Sequence, residues 1–147
     1  MPGNGSAWPL GRLARAALVL EVALGIGALA GGAALMFGEH GEIIPLKVAS
    51  LAGSPFATFF VPGLILFAVL GLGPIATAVL VWLRWPVASL AVVVSGLGLL
   101  IWLVVQIAII GYTNDPPIQL VYIVLGVLIT AVGVAWSVLG QTIEGAR

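Results

Sequence analysis

The sequence predicts an all-α protein: a four-transmembrane-helix bundle, one domain over residues 1–147, with N- and C-termini cytoplasmic. Three observations predict it. The chain is 62% hydrophobic and only 7% charged, against roughly 25% charged residues in a soluble domain. Four segments reach the length of about 20 apolar residues that a bilayer crossing needs. Counting four crossings also gathers most basic residues on one side, which marks that side as cytoplasmic.

The first span is read over residues 13–37. Arg12 and Arg15 precede it. Its apolar run is too long for the core of a signal peptide, so it is expected to remain as a helix. The second span covers 56–83 and contains Pro74 in "GLGPIAT". A proline at that position predicts a kink. The third covers 87–111, with Pro86 suited to its first turn. The fourth covers 119–140. "GEHGEIIP", "RWP" and "YTNDPP" separate them, and each carries turn residues. Residues 38–55 form an outer connection. Within it "PLKVASLAG" has the ends of a short helix, with Pro45 at its start and Gly53 at its end; the competing reading is an ordered loop with no role. Ile43, Ile44, Leu46 and Leu51 would let it lie on the membrane or cap the bundle.

With an even number of spans, Arg12, Arg15, Arg84 and Arg147 share one side and Lys47 stands alone on the other. Trp8, Trp82, Trp85 and Trp136 then fall near the inner interface. Phe56, Phe59, Phe60, Tyr112 and Tyr122 fall near the outer one. Such aromatic belts mark the two edges of a bilayer. The expected location is a cell membrane, crossed several times.

Composition also excludes functions. There are no cysteines, so disulfides, thiolate catalysis and cysteine metal sites are excluded. One histidine excludes a multi-histidine metal site within one chain. Net charge is zero and no basic run exists, so no nucleic acid is expected as a partner. No cofactor, metal or catalytic constellation is indicated.

Glu21 is the one ionisable residue in "LVLEVALGIGALAGG". Helical phasing puts it on a stripe with Ala14, Ala17, Gly25, Ala28 and Gly32. Small stripes let membrane helices approach closely, so Glu21 is expected to face the bundle. Thr77, Ser95 and Thr130 lie at similar depth in their own spans and are its candidate hydrogen-bond partners. A second small stripe, Ala23, Gly27 and Gly31, lies roughly opposite. It is the candidate contact with a second copy or another membrane protein.

Toward the outer side, Trp102, Gln106, Tyr112, Gln119 and Tyr122 resemble a pocket wall of aromatic bodies and polar tips. The competing reading is an interfacial aromatic layer. These five residues and Glu21 are the candidate ligand-binding residues.

Three functions follow. The first is a non-enzymatic membrane protein that binds a lipid-like or hydrophobic molecule, or serves as an accessory subunit of a larger complex. Membrane lipids are its expected partners. The second is a proton-coupled transporter using Glu21, because intramembrane carboxylates suit proton coupling. "LEVALGIG" looks like the first-helix glutamate segment of the small multidrug transporters, and that resemblance implies the same use. The third is an enzyme with an outer site of His40, Glu42 and Asp115, with Glu39 nearby. Glu21 and His40 lie roughly 25 Å apart along the helix axis, so they form no dyad within one chain.

"GSPFATFFVPGLIL", "LGLGP" and "WLVVQIAIIGYTNDPPIQLVYIVLG" resemble uncharacterised small bacterial four-helix membrane proteins of the DoxX-like kind. The resemblance spans the second helix through the fourth. It implies the four-helix fold and assigns no chemistry to any residue; richness in alanine, glycine, valine and arginine with a single lysine separately suggests a bacterial source.

Overall fold

The computed structural model describes residues 7–112 and 117–145. Four helices are long and apolar enough to cross a membrane. We number them α1 (Ala7–Phe37), α2 (Phe60–Trp82), α3 (Ala88–Ile110) and α4 (Ile118–Gly145). Among the described residues there is no strand. The expected bundle is what the chain forms. Its elements differ from the sequence reading mainly at their ends. Both α1 and α4 extend beyond their predicted apolar runs. Residues 56–59 belong to the connection rather than to α2.

Proline 74 does not break α2. The stretch Leu66–Leu72 just before it is π-helical, and Gly73–Trp82 then continues as α-helix. The cause is local. Proline offers no N–H, and its ring crowds the carbonyl four residues back. A wider turn relieves both demands. Pro74 itself is fully buried.

Two findings concern turns. Of the stretch between Pro45 and Gly53, only Val48–Leu51 is helical, as a single 3₁₀ turn. Gly53 lies beyond it at φ +88°. Pro86 is not in the first turn of α3. It sits in a turn before Ala88, whose N–H donates to the Trp85 carbonyl at 3.0 Å. The α2 end is closed by a Schellman motif: Trp85 N–H bonds the Leu80 carbonyl at 3.0 Å and Arg84 N–H bonds that of Val81 at 3.1 Å. Arg84 occupies the left-handed position of that motif, φ 55°.

Glycines weld the helices into two pairs. Between α1 and α2, a Cβ on Gly32 would lie 2.7 Å from the Phe67 nitrogen and 2.8 Å from the Gly63 carbonyl oxygen. A Cβ on Gly63 would lie 2.8 Å from Leu35. Between α3 and α4, a Cβ on Gly96 would meet Thr130 Oγ1 and lie 2.7 Å from the Thr130 nitrogen. Only glycine allows backbones this close. The pairs join edge to edge, α2 with α3 and α1 with α4, so each helix has two neighbours and α1 lies diagonally opposite α3.

The centre of the bundle includes Ala17, Leu24, Ala28, Val92, Leu99 and Ile129. The outside is also apolar. Val19, Ile26, Ile101 and Val104 are each at least 60% exposed, and every helix carries such residues. In water that surface would be a large aggregation liability. Against acyl chains it is the normal exterior. The fold is thus that of a multi-pass membrane protein.

Candidate functional site

Glu21 is completely buried, at 0% exposure. It shares its face of α1 with buried Ala17, Gly25, Ala28 and Gly32, as the small stripe implies. Ser95 of α3 donates its hydroxyl to Glu21 Oε2 at 2.7 Å. The other oxygen, Oε1, is buried with no hydrogen-bond partner. The described residues place no cation against it.

Of the three candidate partners, Ser95 alone makes the contact. Thr130 bonds the carbonyl of Gly126 in its own helix at 2.8 Å. This back-bond satisfies a hydroxyl where Gly96 packs over it. Thr77 is buried at 7% exposure, but it does not donate to the carboxyl.

The second stripe is divided. Gly27 lies against Tyr122, whose hydroxyl oxygen would be 2.8 Å from an added Cβ. Gly31 faces Leu66 of α2 at 3.6 Å by the same measure. Ala23 is exposed.

A cavity of about 160 Å³ opens at the end of the bundle that carries the long connection. Leu35 of α1, Leu66 of α2, and Trp102, Gln106 and Ile109 of α3 form its sides. Leu46 and Leu51 of the connection lie over it, with Phe59 beside them. The described lining is almost wholly apolar, with Gln106 as its one side-chain amide among the described residues and the Trp102 indole four residues earlier. Both are half-buried, and neither forms a hydrogen bond among the described residues.

The five outer candidates therefore separate. Trp102 and Gln106 line the cavity, whereas Tyr112, Gln119 and Tyr122 do not. Gln119 is buried, and its Nε2 donates to the Gly111 carbonyl at 3.0 Å, which ties the start of α4 to the end of α3. Tyr122 packs against the core beside Gly27. Tyr112 lies exposed after α3. The apolar lining from Leu35, Leu66 and Ile109 carried no sequence signal, because leucine and isoleucine fill every face of these helices.

The connection is held by its acids. Thr58 donates to Glu39 Oε2 at 3.1 Å, and Phe59 N–H donates to the Glu39 carbonyl at 3.0 Å. Glu42 Oε2 accepts the His40 backbone N–H at 3.0 Å, and its other oxygen lies 3.6 Å from His40 Nδ1. Both side chains are 60% exposed. Bonds from backbone N–H groups hold the Glu42 carboxyl below the usual glutamate range. Asp115, the third member of the outer acid–histidine set, lies outside the described residues. Among the described residues no three histidine, aspartate or glutamate side chains gather where they could hold a metal.

No protein-family model, curated protein or solved structure matches the chain.

Proposed function

We propose that this protein binds one lipid-like or hydrophobic molecule within the bilayer, without catalysis. The observation that carries the reading is the apolar cavity beneath the Val48–Leu51 turn. Apolar cavities of about 150 Å³ stay dry and accept small hydrocarbon guests. The 160 Å³ here suits a short run of acyl or isoprenoid chain. With the termini cytoplasmic, the cavity lies in the outer leaflet.

The test is photolabelling in phosphatidylcholine vesicles with a long-chain alcohol carrying a diazirine. Adducts should concentrate on the cavity residues. They should fall when excess unlabelled alcohol is added, and when Ile109→Trp fills the space. Labelling spread evenly over the lipid-facing residues, unchanged by either treatment, would reject the reading.

One observation favours a second reading, proton-coupled transport. Glu21 is a buried carboxyl with one unpartnered oxygen and, among the described residues, no counter-charge. Burying an unpaired charge is costly, so such a group suits holding and releasing a proton. Vesicle uptake of a hydrophobic cation under an imposed pH difference tests it. Uptake unchanged in Glu21→Gln would remove this reading.

A further inference from the structure

Gln106 and Trp102 carry the polar groups of an otherwise apolar cavity. They stand four residues apart on α3, so they share one face and are spaced by roughly 6 Å along the axis. Neither is consumed by the fold. Elsewhere in the bundle, Ser95, Gln119, Thr130 and Ser137 each bond a protein group. The Gln106 amide is half-buried and bonds no described protein group, so its donor and acceptor are open to a ligand, and a neutral hydrogen bond formed there is worth about 1 kcal/mol.

Charge narrows the class further. Among the described residues, no lysine, arginine, histidine, aspartate or glutamate lines the cavity. The nearest cation along the chain, Lys47, is exposed beside Leu46. Glu39 and Glu42 belong to the same connection as Lys47. An anionic headgroup would meet no counter-charge among the described lining residues. Desolvating it there would be unfavourable.

We infer that the cavity selects an uncharged amphiphile: a hydrophobic body with a single hydroxyl or carbonyl that bonds the Gln106 amide, with the Trp102 N–H as a second donor. Gln106 is then the residue that sets specificity. This inference rests on the hydrophobic-ligand reading above.

The test uses the full chain in phosphatidylcholine vesicles and competition against the diazirine alcohol. Three competitors share one chain length: the alcohol, the alkane, and the phosphate monoester. In the wild type, the alcohol should compete about fivefold better than the alkane, the worth of one neutral hydrogen bond. The phosphate should compete worst. In Gln106→Leu the alcohol and alkane should become equal, with alkane competition retained. Gln106→Met serves the same end should the leucine variant fail to fold. Trp102→Phe should lose part of the preference and keep the aromatic wall.

An alcohol preference that survives Gln106→Leu or Gln106→Met overturns the inference and leaves hydrophobic binding intact. So does a phosphate that competes as well as the alcohol. Absence of any saturable labelling in the wild type overturns the underlying binding reading itself.

Discussion

Ser95 Oγ lies 2.7 Å from Glu21 Oε2 and joins α1 to α3 across the diagonal of the bundle. The glycine seams join α1 to α2 and α3 to α4. The Glu21–Ser95 bond runs between these two pairs. It adds a directional link to the packing of α1 against α4, where Gly27 meets Tyr122, and of α2 against α3.

Removing the bond should loosen that arrangement. Hydrogen bonds between membrane helices are worth about 0.6 kcal/mol on average and up to about 1.7. Ser95→Ala should cost near the upper end, because it leaves both carboxyl oxygens buried without a donor. Glu21→Leu alone, and Glu21→Leu with Ser95→Ala, complete a double-mutant cycle. Denaturant unfolding in detergent should give a coupling of about 1 kcal/mol. Strict additivity would show that the contact contributes nothing to stability.

The α3–α4 seam predicts a sharp contrast between two glycines only two residues apart. A Cβ on Gly96 would lie 2.7 Å from the Thr130 backbone nitrogen, and one on Gly98 meets nothing within 4 Å. Backbone cannot step aside as a flexible side chain can. Gly96→Ala should cost about 1–3 kcal/mol, in the range of overpacked cores. Gly98→Ala should be neutral or slightly stabilising through its helix propensity. Thermal unfolding of the two variants in one detergent decides it.

How much of this was legible in the sequence depends on what each residue's neighbours were. Glu21 was readable because its own helix supplied the context: five small residues at helical spacing define an inward face. Depth along the helices put Ser95 within reach, but Thr77 and Thr130 fit the same depth equally well. Thr130 is set aside by Gly96 packing over it and by its own bond to the Gly126 carbonyl. Gln119 and Tyr122 face inward, as their phase implies, but away from the cavity. Their periodicity shows an inward direction but not the distance to a partner. One is spent on the Gly111 carbonyl and the other against Gly27. The cavity was the least legible feature. Its roof is Leu46 and Leu51, and chain folding, not periodicity, brings them over Trp102 and Gln106.

That roof depends on Gly41. It has φ +92°, and a Cβ there would run into the Leu46 carbonyl oxygen. Gly41→Ala combines left-handed strain with a backbone clash. It should cost about 2 kcal/mol or more and displace Leu46 from the cavity. Gly53 has φ +88° and open space, so Gly53→Ala should cost only the backbone strain, about 1 kcal/mol. Unfolding measurements give the two costs. Diazirine labelling at Leu46 should fall in the first variant and persist in the second.

The connection should also respond to acid. Glu42 bonds the His40 backbone N–H as a carboxylate, and its folded value lies below the ordinary 4.5. A depressed acid contributes stability that is fully present above its unfolded value. That contribution begins to fade as pH falls below about 4.5 and is gone below the folded value. The His40 amide proton, followed by NMR as the solution is acidified, should lose its hydrogen-bonded shift over that window. Glu42→Gln should abolish the response. An unchanged transition in that variant would assign it to another group.

The α2–α3 turn predicts a gain in stability. Arg84 holds φ 55° at the position where a Schellman motif takes glycine. A residue with a Cβ pays about 1–2 kcal/mol in that conformation. Glycine gives back about 0.5–1 of this through its larger unfolded-state entropy. Arg84→Gly should therefore stabilise the folded chain by about 0.5–1 kcal/mol. Arg84→Ala removes the same charge and keeps the strain, so it should bring no gain. The pair separates conformation from charge. If both variants stabilise equally, removal of the guanidinium is responsible. If only glycine does, the chain keeps an arginine in a strained turn at a cost in stability. That arginine is also the sole charge between the second and third spans, where a basic residue favours the cytoplasmic side. A reporter fused after α3 should then show weakened orientation in both variants.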